Sequence, residues 1–419
     1  MRRAPAMLIL FLAFSLTWFR VEAPSSPSTS LRVYFLDVGQ GDSTLIMFPS
    51  GASMLIDGGE RAEGAKVADF LSSIGLTSLD VVVATHPHAD HIGGLVTVLE
   101  LFKVGLVIDS GQITSTKTFE DYLNIIDKKN IAFKIGREGD SLELDPSVRV
   151  SILSPPSSLY TGTGFDLDAN SLIIKMVYGQ VSFLFTGDVG SEVESHLTRF
   201  NIDVDVLKVA HHGSVAGTSR RFLQATTPLV ALISVGAENP YGHPDQETLS
   251  RLASAGAAVY RTDRHGTVTV STDGNSFLVS TEKMAPAQAY TKWRGKTFKV
   301  TLDTNSTVMD YQFQQSSKRI SLKIYGQTGT MGFLTISLPI ALLGPPYTLR
   351  FDGNPIQAEV HQTCRHASIK IKYTHSQHTL TITGATAIPD LIYPPIAFTA
   401  AILAFLYVFK KRGKKWGRR

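Results

Sequence analysis

The stretch LDVVVATHPHADHIGG, residues 79–94, decides how the rest of the chain is read. It opens on a mostly apolar, valine-rich run, the composition of a strand buried on both faces. Four metal-binding side chains then crowd into six residues: His86, His88, Asp90 and His91. Such groups have little structural reason to cluster unless something uses their lone pairs. At a strand end His86 and His88, two residues apart, can face one side, while the turn brings Asp90 and His91 to a neighbouring position. The pattern predicts two divalent ions held side by side. Imidazole and carboxylate ligands without a thiolate suit zinc, manganese or iron, with zinc or manganese foremost, and a two-metal clamp activates water while neutralising an oxyanion.

Two other apolar runs end on compatible groups. VSFLFTGD, residues 181–188, delivers Asp188, a carboxylate too costly to bury unpaired and expected to bridge the two cations. VDVLKVAHHGS, residues 204–214, delivers His211 and His212. Adjacent residues on a strand face opposite ways, so one of the pair is expected to bind metal, with His211 preferred. Asp57, ending SMLID, suits either a carboxylate that orients a ligand or an N-cap for the next helix. Gly39, Gly41 and Asp42 read as a tight turn, either bringing a loop to the site or serving only as a turn. His243, in YGHP, is either a substrate contact or general acid, or an ordinary loop histidine. His196 and His265 read as surface residues.

From Leu31 to about Thr281, short runs rich in Val, Ile, Leu and Phe alternate with helical stretches at residues 64–75, 93–102, 118–129, 191–200, 219–225 and 246–255. This is α/β patterning. VYRTDRHGTVTVSTDG, residues 259–274, reads as a closing hairpin. After a short polar linker, residues 290–385 carry alternating strands with Gly, Pro or Asn turns, which predicts a separate antiparallel β-sandwich. Its histidines, His361, His366, His375 and His378, read as exposed strand positions. Asn305-Ser306-Thr307 is a glycosylation sequon, usable only if this module is exported.

The motifs LDVGQGDS, LIDGG, THPHADH, FLFTGD, LKVAHHGS and YGHP, in that order over residues 31–281, resemble the metallo-β-lactamase superfamily, and within it the hydrolase domain of ComEC-type DNA-uptake proteins. The resemblance implies a four-layer αββα fold and hydrolysis, with a phosphodiester favoured. It implies His86 and His88 on the first metal, Asp90 and His91 on the second, Asp188 as the bridge and His211 completing the second site. Asp90, Asp188 and His243 are assigned to catalysis. Where many members place a third histidine for the first metal, this chain has Asn170. An amide is a weak zinc ligand, so the first site is expected to be open or to hold a harder ion such as manganese.

The remaining features concern location. The chain has 419 residues, enough for two or three domains, and 43% apolar against 18% charged residues excludes a disordered, collagenous or coiled-coil chain. The single cysteine, Cys364, excludes an intrachain disulfide framework and cysteine-rich metal sites. Residues 1–23 have the basic start and short apolar run of a signal peptide. Residues 391–409 form an uncharged run long enough to span a bilayer once, and the basic tail 410–419 is expected to stay cytoplasmic. The net charge of +4 resides in those ends; residues 24–409 carry about −5, so nothing marks a basic DNA-binding face. The expected protein is a membrane-anchored extracytoplasmic hydrolase acting on a DNA or nucleotide phosphodiester. An ester, thioester or lactam hydrolase, or a non-enzymatic surface-display or binding protein, are the competing readings.

Overall fold

The computed structural model describes residues 30–283 and 285–388. The expectations for residues 1–23, 391–409 and 410–419 lie outside the described residues. Among the described residues no helix is long and apolar enough to cross a membrane.

As far as residue 281 the strands are β1 (Leu31–Phe35), β2 (Thr44–Met47), β3 (Ser53–Ile56), β4 (Ser78–Ala84), β5 (Lys103–Asp109), β6 (Ala132–Ile135), β7 (Ser141–Asp145), β8 (Val148–Ser154), β9 (Ile173–Tyr178), β10 (Val181–Phe185), β11 (Val206–Lys208), β12 (Val230–Ile233), β13 (Ala258–Arg261), β14 (Val268–Thr272) and β15 (Ser276–Thr281). One sheet runs β15-β14-β1-β2-β3-β4-β5-β6, the other β13-β12-β11-β10-β9-β8-β7. Their inner faces share a core that includes Phe35, Ile46, Met54, Phe183, Phe185 and Leu232. Helices Gly64–Ser73, Leu95–Leu101 and Lys117–Lys128 bury their apolar sides on the first sheet. Ser191–Leu197, Arg220–Thr226 and Gln246–Ser254 do so on the second. The layers are therefore αββα.

Within each sheet four strands are parallel: β3 to β6 in the first and β10 to β13 in the second. Parallel strands release their carboxyl ends at one edge, the usual place for a site in such sheets. Asp57 follows β3, Thr85 to His91 follow β4, Asp188 follows β10, and His211 and His212 follow β11.

Three expectations need correction. The segment 259–274 is no hairpin: β13 lies parallel to β12 in the second sheet, whereas β14 pairs with β1 and β15 in the first. The four-residue helical turn Thr262–His265 carries the chain across between them. Nor does a linker isolate the second module. Strand β16 (Ala287–Trp293) pairs with β15, so the first sheet continues into the module as one ladder. Phe277 and Tyr290 stack with centroids 4.7 Å apart across that seam, and Lys292 Nζ reaches Asp205 Oδ1 at 2.8 Å on the second sheet.

The module itself is the expected antiparallel sandwich. Its strands are β17 (Lys296–Thr304), β18 (Thr307–Gln314), β19 (Arg319–Tyr325), β20 (Met331–Pro339), β21 (Leu343–Phe351), β22 (Asn354–Pro355), β23 (Glu359–Gln362), β24 (His366–Thr374) and β25 (Gln377–Ala387). β17, β20, β24 and β23 extend the long sheet, and β18-β19-β25-β21-β22 packs over them around Leu302, Leu322, Ile336 and Ile382. The third correction is His375, which is buried, not exposed. Its Nε2 is 2.9 Å from Ser306 Oγ and its Nδ1 lies beside Thr330 Oγ1 at 2.6 Å.

Asp109, at the carboxyl end of β5, yields a pH prediction. Burial pushes its carboxyl up to about 6, against hydrogen bonds donated by Gly111 N–H and Tyr122 O–H. The native state thus keeps a proton that the unfolded chain has released between about pH 4 and 6. Stability contributed by this group falls as pH rises through that window, by up to about 3 kcal/mol. Asp109→Asn is expected to stabilise the protein in urea melts at pH 8 and to gain little at pH 4.5. An equal shift at both values would contradict the assignment.

Candidate metal centre

Asp57 sets the first imidazole. It is fully buried, in a left-handed conformation (φ 57°) directly after β3. Its Oδ1 accepts from Thr85 N–H at 2.8 Å, and its Oδ2 accepts from Thr85 Oγ1 at 2.7 Å and from His91 Nδ1 at 2.8 Å. With its Nδ1 turned to Asp57, His91 directs Nε2 inward, toward Asp188 Oδ2 at 3.3 Å. Asp57 holds the His91 ring and is not the N-cap of the helical turn that follows, which is entered through Glu60.

Two groups of inward-facing atoms result. His86 Nε2 lies 3.0 Å from His88 Nδ1, so these two do converge. Asp90, His91 and His212 form the second group, each offering an atom within 4.8 Å of the others. Asp188 adjoins both: it groups with His86 and His91, and separately with Asp42 and His212.

The choice between the adjacent histidines goes the other way. His212 Nε2 is 3.2 Å from Asp90 Oδ2 and 3.4 Å from Asp188 Oδ2, while its Nδ1 is 3.0 Å from Ser234 O. His211 Nε2 is 3.9 Å from Asp188 Oδ2, joins none of the groups, and instead meets His243 edge-on at 5.7 Å. The backbone explains it. His211, His212 and Gly213 are all left-handed (φ 49°, 52° and 86°), so strand alternation no longer holds where the chain leaves β11.

Asn170 is also not where a ligand would be. Its Oδ1 accepts from Tyr160 N–H, and its Nδ2 donates to Tyr160 O and Asp166 O, all at 2.8 Å. The side chain that meets the first pair is Asp168: its Oδ1 lies 2.9 Å from His88 Nδ1 and 3.5 Å from His86 Nε2. Beside the first pair the structure thus places a carboxylate, and not the Asn170 amide. Asp168 lies in FDLDAN, two residues before Asn170, where the sequence marks it only as one of two acids in the run.

The donor chemistry fits two divalent cations. His91 Nε2, Asp168 Oδ1, Asp188 Oδ1 and Asp42 Oδ1 are buried without a hydrogen-bond partner. Burial alone would depress the His91 imidazole, but the Asp188, Asp57 and Asp90 carboxylates together hold it well above the usual histidine range. Burial likewise opposes charge on Asp188, yet His91 and His212 draw it well below the usual carboxylate range. The cluster therefore strongly favours positive charge at its centre, as carboxylates set against imidazole lone pairs must.

Asp42 and Lys208 brace the second group. Lys208 Nζ pairs with Asp42 Oδ2 at 2.7 Å and donates to Val209 O at 2.9 Å, both side chains nearly inaccessible. Asp42 Oδ1 lies 3.4 Å from His212 Nδ1. The loop does approach the site: Asp42 N–H donates to Asp90 O at 3.1 Å, and Gly41 (φ 126°) has no room for a Cβ against the Asp90 carbonyl. Within the apolar run VDVLKVA, Lys208 is itself a sequence signal, since a lysine there must find a partner to be buried.

Over this centre opens a cavity of about 520 Å³, lined by Gln40, Glu60, Phe165, Tyr241 and His243 among others. His243 therefore does reach the pocket. Burial, with the charges of His211 and His212, holds its imidazole below the ordinary value. His196 and His265 stay away from it, bound to Glu138 and to the Arg261 backbone.

Residues 36–237 match the metallo-beta-lactamase superfamily. This domain belongs to that superfamily. ComE operon protein 3 of Bacillus subtilis is 33% identical over 261 residues, covering 58% of this chain and 33% of that protein. Recombination protein 2 of Haemophilus influenzae is 30% identical over 268 residues, covering 63% and 31% respectively. Competence protein ComA of Neisseria gonorrhoeae is 27% identical over 252 residues, covering 59% and 33%. The metallo-β-lactamase domain is thus of the ComEC type, and the chain spans about a third of the length of each of these relatives. Among solved structures, the metallo-beta-lactamase fold protein YhfI from Bacillus subtilis is 13% identical, covering 55% of this chain and 96% of that one at a TM-score of 0.38, a likeness too distant to argue from. Members of this superfamily are metal-dependent hydrolases.

Proposed function

We propose that this metallo-β-lactamase domain is a dimetal phosphodiesterase acting on a nucleic acid or nucleotide, held outside the cell membrane by the C-terminal run 391–409. The observation that carries the hydrolase reading is the placing of Asp188 beside both ligand groups, with His86 and His91 in one set and with Asp42 and His212 in another. Two divalent ions bound there would supply Lewis acidity toward the phosphoryl oxygens and acidify water. The chain's own contribution is geometric and protonic. Asp188 Oδ1, buried and unpartnered, is available to orient a water and take its proton. Asp90, half-buried at the pocket floor, has its Oδ2 turned to His212. His243, neutral near pH 7 because its basicity is lowered, suits a hydrogen bond to the substrate better than storage of a proton.

The pocket rim favours a nucleobase-bearing substrate over an ester, thioester or lactam. Phe165 and Tyr241 are about two-thirds exposed at the mouth, and Tyr241 stacks on His243 at 5.8 Å. Exposed aromatic faces beside a phosphate-cleaving centre are what unstacked bases require, each stack contributing about 1–3 kcal/mol. Few lysines or arginines are needed when the ions meet the phosphate. One manganese- or zinc-loaded preparation assayed on a single-stranded oligonucleotide, bis-p-nitrophenyl phosphate, nitrocefin and a thioester tests this. The proposal expects turnover of the two phosphodiesters, and a rise of about tenfold or more in KM for the oligonucleotide in Phe165→Ala/Tyr241→Ala. Turnover confined to nitrocefin or the thioester would overturn it, and protein that takes up no metal would favour the binding reading.

A further inference from the structure

We infer that Asp168 completes the first ion site with His86 and His88, and that this carboxylate tilts the site toward manganese relative to zinc. The inference rests on the dimetal reading of the centre but not on what the centre hydrolyses.

Asp168 satisfies the requirements for a ligand more fully than any neighbour. It is 4% exposed, its Oδ1 has no hydrogen-bond donor, and that oxygen lies 2.9 Å from His88 Nδ1 and 3.5 Å from His86 Nε2. The orientation is built in. Asp168 belongs to a single helical turn, Asp166–Ala169, whose neighbours are tied down on both sides. Asn170 clamps Tyr160 and Asp166 O, and Gln112 Nε2 donates to Leu167 O at 3.0 Å. Asn170 thus acts as the brace that presents Asp168, two residues earlier than a ligand at position 170 would stand.

Two imidazoles and one carboxylate leave coordination positions for water and substrate oxygens, the arrangement six-coordinate ions use, whereas three imidazoles favour tetrahedral zinc. Divalent affinities rise from manganese toward copper and remain high for zinc at nearly any nitrogen and oxygen site, so zinc can still bind more tightly in absolute terms. The quantity set by Asp168 is the ratio of the two affinities.

The test is equilibrium dialysis of full-length protein against mixtures of manganese and zinc, with ions counted per chain by mass spectrometry and manganese followed by electron paramagnetic resonance. Wild type is expected to hold two ions. Asp168→Asn should fall to one, with the dinuclear manganese signal replaced by a mononuclear one. Asp168→His should keep two ions and shift the manganese-to-zinc ratio at least about tenfold toward zinc. Asn170→His should gain no zinc affinity. The inference is overturned if Asp168→Asn retains two ions, if Asp168→His leaves the ratio unchanged, or if Asn170→His rather than Asp168→His produces the shift. Circular dichroism of each variant separates loss of a ligand from loss of the fold. Since every readout is binding, an absence of phosphodiester cleavage would defeat the proposed function and leave this inference standing.

Discussion

His212→Ala is expected to bind one ion per chain instead of two and to lose more than about a hundredfold in turnover, beyond the 10–100-fold typical of residues that only orient a ligand. His211→Ala should keep both ions and stay within about tenfold of wild type, its effect appearing in KM because the ring lines the pocket against His243. The contrast follows from position. His212 Nε2 faces Asp90 and Asp188, and its Nδ1 has the Ser234 carbonyl to fix the tautomer, whereas His211 is the more accessible ring and belongs to neither ligand group. His212→Gln, which preserves more of the volume, guards against a folding defect. Loss of an ion in His211→Ala with two retained in His212→Ala would restore His211 as the ligand, the assignment preferred from the sequence.

Lys208→Met is expected to destabilise the fold by about 3–5 kcal/mol, the usual consequence of removing one partner from a buried ion pair. Burial raises the Asp42 carboxyl, but Lys208 and then His212 outweigh it and hold the group down at about 2. Without the ammonium, a buried anion would remain a few ångströms from His212 and beside the acidic floor of the centre. Lys208→Met/Asp42→Asn should recover most of the loss, because no buried charge is then left over. Urea melts of the four proteins in the cycle measure the coupling. Strictly additive effects would mean that the pair is not coupled in the native state.

The parts of this protein legible in its sequence are those governed by short-range pattern. Apolar runs such as LDVVVAT and VSFLFTGD mark strands buried on both sides, and the groups that end them, His86 to His91 and Asp188, do converge. Strands with weaker patterns escaped: β6 is exposed along its whole length, and β7 carries a register irregularity between Leu142 and Asp145. What could not be read was set by backbone twist or by tertiary position. Three successive left-handed residues exchange the roles of His211 and His212. Asp168 becomes a neighbour of His88 only because Asn170 folds its loop onto Tyr160. The segment around 282–289 looks like a linker by polarity, yet β16 finds its partner in β15, a pairing that no local composition encodes.

Metal-free full-length protein titrated with manganese, with bound ions and cleavage of a single-stranded oligonucleotide measured at each step, tests the proposed activity most directly. Cleavage should appear as the second ion per chain binds, and Asp188→Asn, its bridge lost, should show no burst of activity at any manganese concentration. Cleavage that is already complete with one ion bound, or that persists undiminished in Asp188→Asn, would contradict a reaction run by a shared two-ion centre.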